Sequence, residues 1–145
     1  MVESSRERVP VHTDEEANRR ISHSTAVTVQ YYAQHKDEIA DRLKELDEEW
    51  DIERAIEANA AALAFVGVAL SVLRGRRWLL LPIAVTGFLF QHAIQGWCPP
   101  VPALRGLGFR TIYEIEEERR ALKALRGDFT HAAAGGAEAL QAARA

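Results

Sequence analysis

The chain has 145 residues, one cysteine and a formal net charge of -3. A single cysteine excludes an intrachain disulfide framework and a CxxC redox pair. Charge is segregated, with 8 Lys/Arg against 15 Asp/Glu in residues 1–57 and 10 against 6 in residues 58–145, and so acidic a front half argues against a nucleic-acid partner, whose phosphates need a basic surface.

Residues 1–22 are polar, contain Pro10 and show no sustained apolar period, which reads as a disordered N-terminal tail. They also lack the apolar core of a signal peptide, so membrane insertion would fall to an internal segment. An acidic amphipathic helical region follows over 23–57. Ser24 or Thr25 is placed to cap a short helix through Val29, Tyr32 and Ala33, and the Tyr31–Tyr32 pair reads as packing or interface anchoring. Further on, Ile39, Leu43, Leu46 and Trp50 step by four, three and four, which is one helical face. Asp41, Arg42, Lys44, Glu45, Asp47 and Glu48 cover the other. Helices that lie on membranes are usually basic on the polar face. This one is acidic, so its stripe is expected to meet the C-terminal helix or a second copy of itself. The cluster Asp47, Glu48, Glu49, Asp51, Glu53 invites a metal reading, but no Glu-x-x-His accompanies it. A solvated helix face is the expectation, with no metal and no cofactor.

Residues 58–97 hold two apolar runs around the turn Arg74-Gly75-Arg76-Arg77, and no other charged residue lies between Ala58 and Leu104. A bilayer crossing takes about 20 apolar residues, with about 17 as a minimum. The first run is a little short and the second, from Trp78 to Trp97, is long enough. Trp78 and Trp97 bracket it where interfacial indoles favour the headgroups. The reading is a transmembrane helical hairpin; the competing one is a buried hairpin in a soluble bundle. Ala60, Ala64, Gly67 and Ser71 form a stripe of small residues that lets another helix approach, and Gly87 is the matching small residue of the second run. Counting about 1.5 Å per residue from the turn puts Asn59 and Gln91 at one level, so Asn59, Gln91 and Gln95 are expected to form a polar clasp. His92, with only Cys98 nearby, is a weak candidate for a metal or haem ligand.

Gly96 and Pro99-Pro100 stop the second helix and open a Pro/Gly-rich connector over 98–110. Cys98 then sits at the boundary of the apolar region. No Lys or Arg lies within five residues of it to stabilise a thiolate. An inert, partly buried thiol is expected, and no catalytic residue is assigned.

These residues carry a family resemblance. Ile52-Glu53-Arg54 ahead of the first run, the Arg-rich turn before Trp78-Leu79-Leu80-Leu81, Thr86-Gly87, and the exit Gly96-Trp97-Cys98-Pro99 resemble the YgaP-like transmembrane domain. This is a family of small bacterial inner-membrane hairpins of largely unknown function. The resemblance covers about residues 50–108; Pro100 departs from it. Some members carry a rhodanese, a sulfurtransferase built on a reactive cysteine loop. With no second cysteine and little remaining length, that activity does not carry over. The resemblance implies a membrane anchor or dimerising hairpin.

Over 111–127, Thr111 and Glu114 make a T-x-x-E capping box. Ile112, Ile115, Leu122 and Leu125 form the stripe of a helix that Gly127 closes. Residues 128–145 are Ala/Gly-rich and read as a low-complexity tail. The expectation is therefore an all-α chain, a two-helix transmembrane hairpin flanked by amphipathic helices. As a function it predicts a non-enzymatic membrane scaffold that self-associates or holds a membrane-protein partner; the alternative is a sulfur or redox carrier using Cys98. The lipid bilayer is the expected surrounding. Orientation rests on opposed signals. Three arginines in the turn face seven Lys/Arg that flank the hairpin on the terminal side (Arg42, Lys44, Arg54, Arg105, Arg110, Arg119 and Arg120), and moving four residues across is easier than moving both flanks. The prediction is a multi-pass inner-membrane protein with cytoplasmic termini.

Overall fold

The computed structural model describes residues 4–130 and 135–144. The fold is all-α. Among the described residues there are α1 (Glu15–Gln34), α2 (Ile39–Glu48), α3 (Ile52–Arg74), α4 (Leu80–Gln95), α5 (Val101–Gly106), α6 (Ile112–Arg126) and α7 (Gly136–Arg144), and no strand. Two compact units are formed, Met1–Arg20 with Trp50–Ile112 and Ile21–Glu49 with Tyr113–Ala145.

The first unit is built on the pair α3 and α4. Asp51 caps α3, its side chain accepting from the Arg54 N–H at 2.7 Å. The helix therefore starts at Ile52, ahead of the apolar run, and gains the length that the run alone lacks. Its 23 residues reach about 34 Å at the helical rise, enough for a hydrocarbon core of about 30 Å. Gly75, at φ 111, ends it and leads through the 3-10 turn Arg76–Leu79 into α4. Pro82 falls in the first turn of α4, where its missing N–H leaves no bond broken. Gly96 adopts the left-handed conformation at φ 75, and its N–H donates to the His92 carbonyl at 2.7 Å. α4 returns along α3: Gly67 meets Leu81 and Pro82 near the turn, and Ile56 shares a core with Leu89 at the other end. α3, and α4 taken together with the 3-10 turn before it (Arg76–Gln95), are long and apolar enough to cross a membrane.

At the open end of this pair, Val9, Ile52, Ile56, Cys98 and Val101 form a buried core flanked by Leu89, Leu104 and Phe109. The expected N-terminal tail is corrected here. Described residues 4–22 are folded, with a 3-10 turn at Pro10–His12 and α1 already running from Glu15. Val9, Ala17 and Ile21 are buried, three apolar side chains too sparse to make a sustained period. Asn18 holds the segment twice. It donates to the Pro10 carbonyl at 2.9 Å and accepts from Arg105 at 2.8 Å. Ser24 and Thr25 consequently lie inside α1 instead of capping it. The Pro/Gly-rich connector contains α5, and the Ile52 N–H donates to the Arg110 carbonyl at 2.8 Å.

The second unit buries the amphipathic stripes. Ile39, Leu43 and Leu46 of α2 pack with Ile115 and Leu122 of α6, while Tyr32 and Leu125 border them. The stripe of α2 thus meets the C-terminal helix. Trp50 departs from it, since α2 stops at Glu48; the ring is exposed and carries the Arg54 guanidinium 4.5 Å above its centre. Charged side chains tie the two helices: Arg42 donates to buried Glu118 at 2.8 Å, and Arg119 donates to Asp47 at 2.6 Å. Gly127, at φ 94, closes α6 with its N–H on the Lys123 carbonyl. The tail expected over 128–145 contains α7 among its described residues, an Ala-rich segment of high helix propensity. The parts of the two expected tails at 1–3, 131–134 and 145 lie outside the described residues.

Candidate functional site: the apolar hairpin and its base

The hairpin presents its apolar side chains outwards. Phe65, Val72, Leu73, Leu80, Ile83 and Phe90 are 64–81% exposed. Of the most apolar window of each helix, 11% and 6% is buried. The core helix of a water-soluble bundle has the opposite distribution, because its driving force is removal of apolar surface from water.

Small residues set the approach of the two helices. A Cβ built on Gly67 would stand 2.5 Å from Pro82 Cδ and 3.2 Å from Leu81 Cβ, so only glycine permits this spacing. Ala60 lines the groove between the helices; Ala64 and Ser71 are half-buried. Gly87 is different. It is exposed, with no atom within 4 Å of a built Cβ, and so takes no part in the packing of α3 on α4. The polar clasp does not form either. Asn59 donates to the Ala55 carbonyl of its own helix at 2.7 Å and lines the groove, whereas Gln91 does not line it and Gln95 is exposed. Ser71 and Thr86 likewise bond to carbonyls one turn back, both at 2.7 Å. Equal distance from the turn fixes a level along a helix but not a direction around it. A short polar side chain in apolar surroundings finds its nearest acceptor on its own backbone. Trp78 and Trp97 are both half-buried, Trp78 in the 3-10 turn and Trp97 just past the end of α4.

Between α3 and α4 runs a groove of about 430 Å³, walled by Leu63, Ala84, Val85 and Phe88 and closed at the base by Cys98, Pro99 and Pro100. Cys98 is a free thiol only 2% exposed. Burial pushes its pKa up, and a backbone hydrogen bond at Val101 offsets this only in part. The neutral thiol is therefore the favoured form.

A second, smaller cavity of about 270 Å³ lies at the base and is lined by Arg8, Glu53, Glu57, Leu89, His92 and Ala93. Arg8 donates to the Ala93 carbonyl at 2.8 Å and stands 3.9 Å from Glu53. Its backbone also fills the space beside Gly96, where a Cβ would meet the Arg8 carbonyl at 2.3 Å. Sequence reasoning missed Arg8 because nothing local ties it to residues more than 40 positions away. Among the described residues no cluster of His, Cys, Asp and Glu has the spacing of a metal site.

The site thus belongs to an all-α protein with an outward-facing apolar hairpin. Compared with protein-family models, curated proteins and solved structures, the chain finds no match.

Proposed function

We propose that the chain is a non-enzymatic integral membrane protein whose α3–α4 hairpin spans a bilayer and which acts as a self-associating or partner-binding scaffold. The observation that carries this reading is the exposure of the apolar side chains around both helices. Bilayer lipid covers such a surface without cost, whereas water does not. The spans suit the role in length, and Asn59, Ser71 and Thr86 each donate to a carbonyl of their own helix, as suits a lipid-facing helix. The resemblance to YgaP-like hairpins, carried by the motifs at Ile52-Glu53-Arg54 and Gly96-Trp97-Cys98-Pro99, fits the same role. The face available to a second copy is that of Ile83, Gly87, Phe90 and Ile94, spaced by four, three and four along α4 and all exposed. Gly67 is already occupied by Pro82 within the chain. The thiol-carrier alternative is disfavoured by the burial and raised pKa of Cys98.

For orientation we favour an inner-membrane protein with cytoplasmic termini and an external turn. The seven Lys/Arg that flank the hairpin at positions 42–54 and 105–120 and the small cargo of the turn support it. The test is alkaline carbonate extraction of membranes followed by labelling of intact cells with impermeant maleimide. The left-handed backbone at Gly75 makes exposed Arg76 the better place for a probe. The chain should stay in the pellet, and Arg76→Cys should label while Lys44→Cys, at an exposed position on the terminal side, does not. Release by carbonate contradicts the membrane reading; labelling of Lys44→Cys alone reverses the orientation.

A further inference from the structure

His92 is 4% exposed, and neither Nδ1 nor Nε2 has a hydrogen-bond partner. Buried polar groups in folded proteins are almost always paired, so an unpaired imidazole facing a cavity calls for an occupant. The other walls say which kind. Arg8 keeps a buried Nε without a partner, on the same cavity. Glu53, which stands 3.9 Å from Arg8, and Glu57 lie one helical turn apart on α3 and bring two carboxylates to the cavity. With imidazole neutral, the walls carry one positive and two negative charges.

A ligand with phosphate alone would be repelled by the carboxylates, and an amine alone would leave His92 and the Arg8 Nε without an acceptor. A group bearing both a phosphate and a primary ammonium suits both kinds of wall. The phosphate accepts from Arg8 and from the protonated ring nitrogen of His92, and the ammonium donates to Glu57 and Glu53. We infer that this cavity binds the phosphoethanolamine headgroup of a zwitterionic phospholipid. The inference rests on the membrane reading above, because only a spanning hairpin puts the first turns of α3 and the last of α4 at headgroup depth. Choline lipids lack the ammonium N–H donors, and phosphatidylglycerol lacks the cation. Both should bind less well.

The experiment reconstitutes the full chain in nanodiscs containing equal parts of phosphatidylethanolamine, phosphatidylcholine and phosphatidylglycerol. Incorporation is measured first, and then the lipids retained on release into detergent are measured by native mass spectrometry. The expected result is selective retention of phosphatidylethanolamine. Glu57→Gln, at an exposed position that should not disturb folding, is expected to weaken that retention about tenfold, as for one lost charge-assisted hydrogen bond. His92→Leu should weaken it similarly. Incorporation without a phosphatidylethanolamine preference, or with preference for phosphatidylglycerol, overturns the inference and leaves the membrane reading intact. A chain that does not incorporate overturns the membrane reading. Free O-phosphoethanolamine then decides the site on the soluble chain: a saturable shift of the His92 ring resonances supports it, and no shift overturns it.

Discussion

The hairpin and the α2–α6 pair are both helical, yet they arrange apolar surface in opposite ways. In α2 and α6 the apolar side chains are confined to one stripe, and that stripe is buried: Ile39 and Leu122 are 0% exposed and Leu46 is 2%. In α3 and α4 apolar residues occur all round, and most of them face outwards. The difference teaches that one rule, keeping apolar surface from water, is met by tertiary packing in one region and is not met by the chain's own packing in the other. Where the stripe is narrow the chain supplies its own cover.

The largest test of this contrast is a pair of truncations. Leu122→Ala should lower the stability of the second unit by about 3–4 kcal/mol in urea titration, the range for emptying a tightly packed leucine site. Phe65→Ala, at a side chain 75% exposed, should change hairpin stability in lipid by less than about 0.5 kcal/mol. Equal costs would erase the distinction between the regions.

Gly67→Leu comes next. Its side chain would have to displace Pro82 Cδ, already 2.5 Å from a built Cβ. Thermal unfolding in detergent should show about 3 kcal/mol lost, the upper part of the range for overpacking. Gly87→Leu, with open space around it, should leave hairpin stability unchanged and reduce self-association. If the two substitutions behave alike, the helices do not meet at Gly67.

Removal of a charge partner should cost less. Arg42→Ala leaves Glu118 buried at 1% exposure. Loss of one member of a fully buried pair costs about 3–5 kcal/mol, but the Arg42 side chain is 21% exposed, so about 2 kcal/mol is expected by chemical denaturation. No measurable change would mean that the pair contributes nothing to the α2–α6 interface.

How much of this was legible follows from the same contrast. Periodic stripes announced α2 and α6, and Gly96 and Gly127 marked helix ends, because these signals are local. The two apolar runs and their arginine turn were equally plain. The role of Val9 was not, since a single valine packing on Ile52, Ile56, Cys98 and Val101 makes no pattern in its own neighbourhood. Asn59 and Gln91 were matched from their height along a helix, when their azimuth decided the matter. The Arg8–His92 cavity was invisible for a further reason: it joins three segments distant in sequence.

The smallest effect is in pH. Asp128 is paired at two points with Arg126, which holds its carboxyl below the ordinary 3.8. A carboxylate with a depressed folded pKa stabilises above its unfolded pKa and loses that contribution as pH falls through the folded value. Asp128→Asn should therefore cost under about 1 kcal/mol near neutrality, with the difference from wild type fading below pH 3.8. A difference that grows on acidification would have the wrong sign.

The central claim is that lipid covers the outer faces of the hairpin. Spin labels introduced by Phe65→Cys, Val72→Cys and Phe90→Cys, with Lys44→Cys as a reference on the second unit, test it in reconstituted bilayers. The unsubstituted chain serves as control for the buried Cys98. The account predicts that relaxation at the three hairpin sites responds strongly to oxygen and weakly to a polar nickel chelate, with the reverse at position 44. Ready access of the polar reagent to positions 65, 72 and 90 would contradict it.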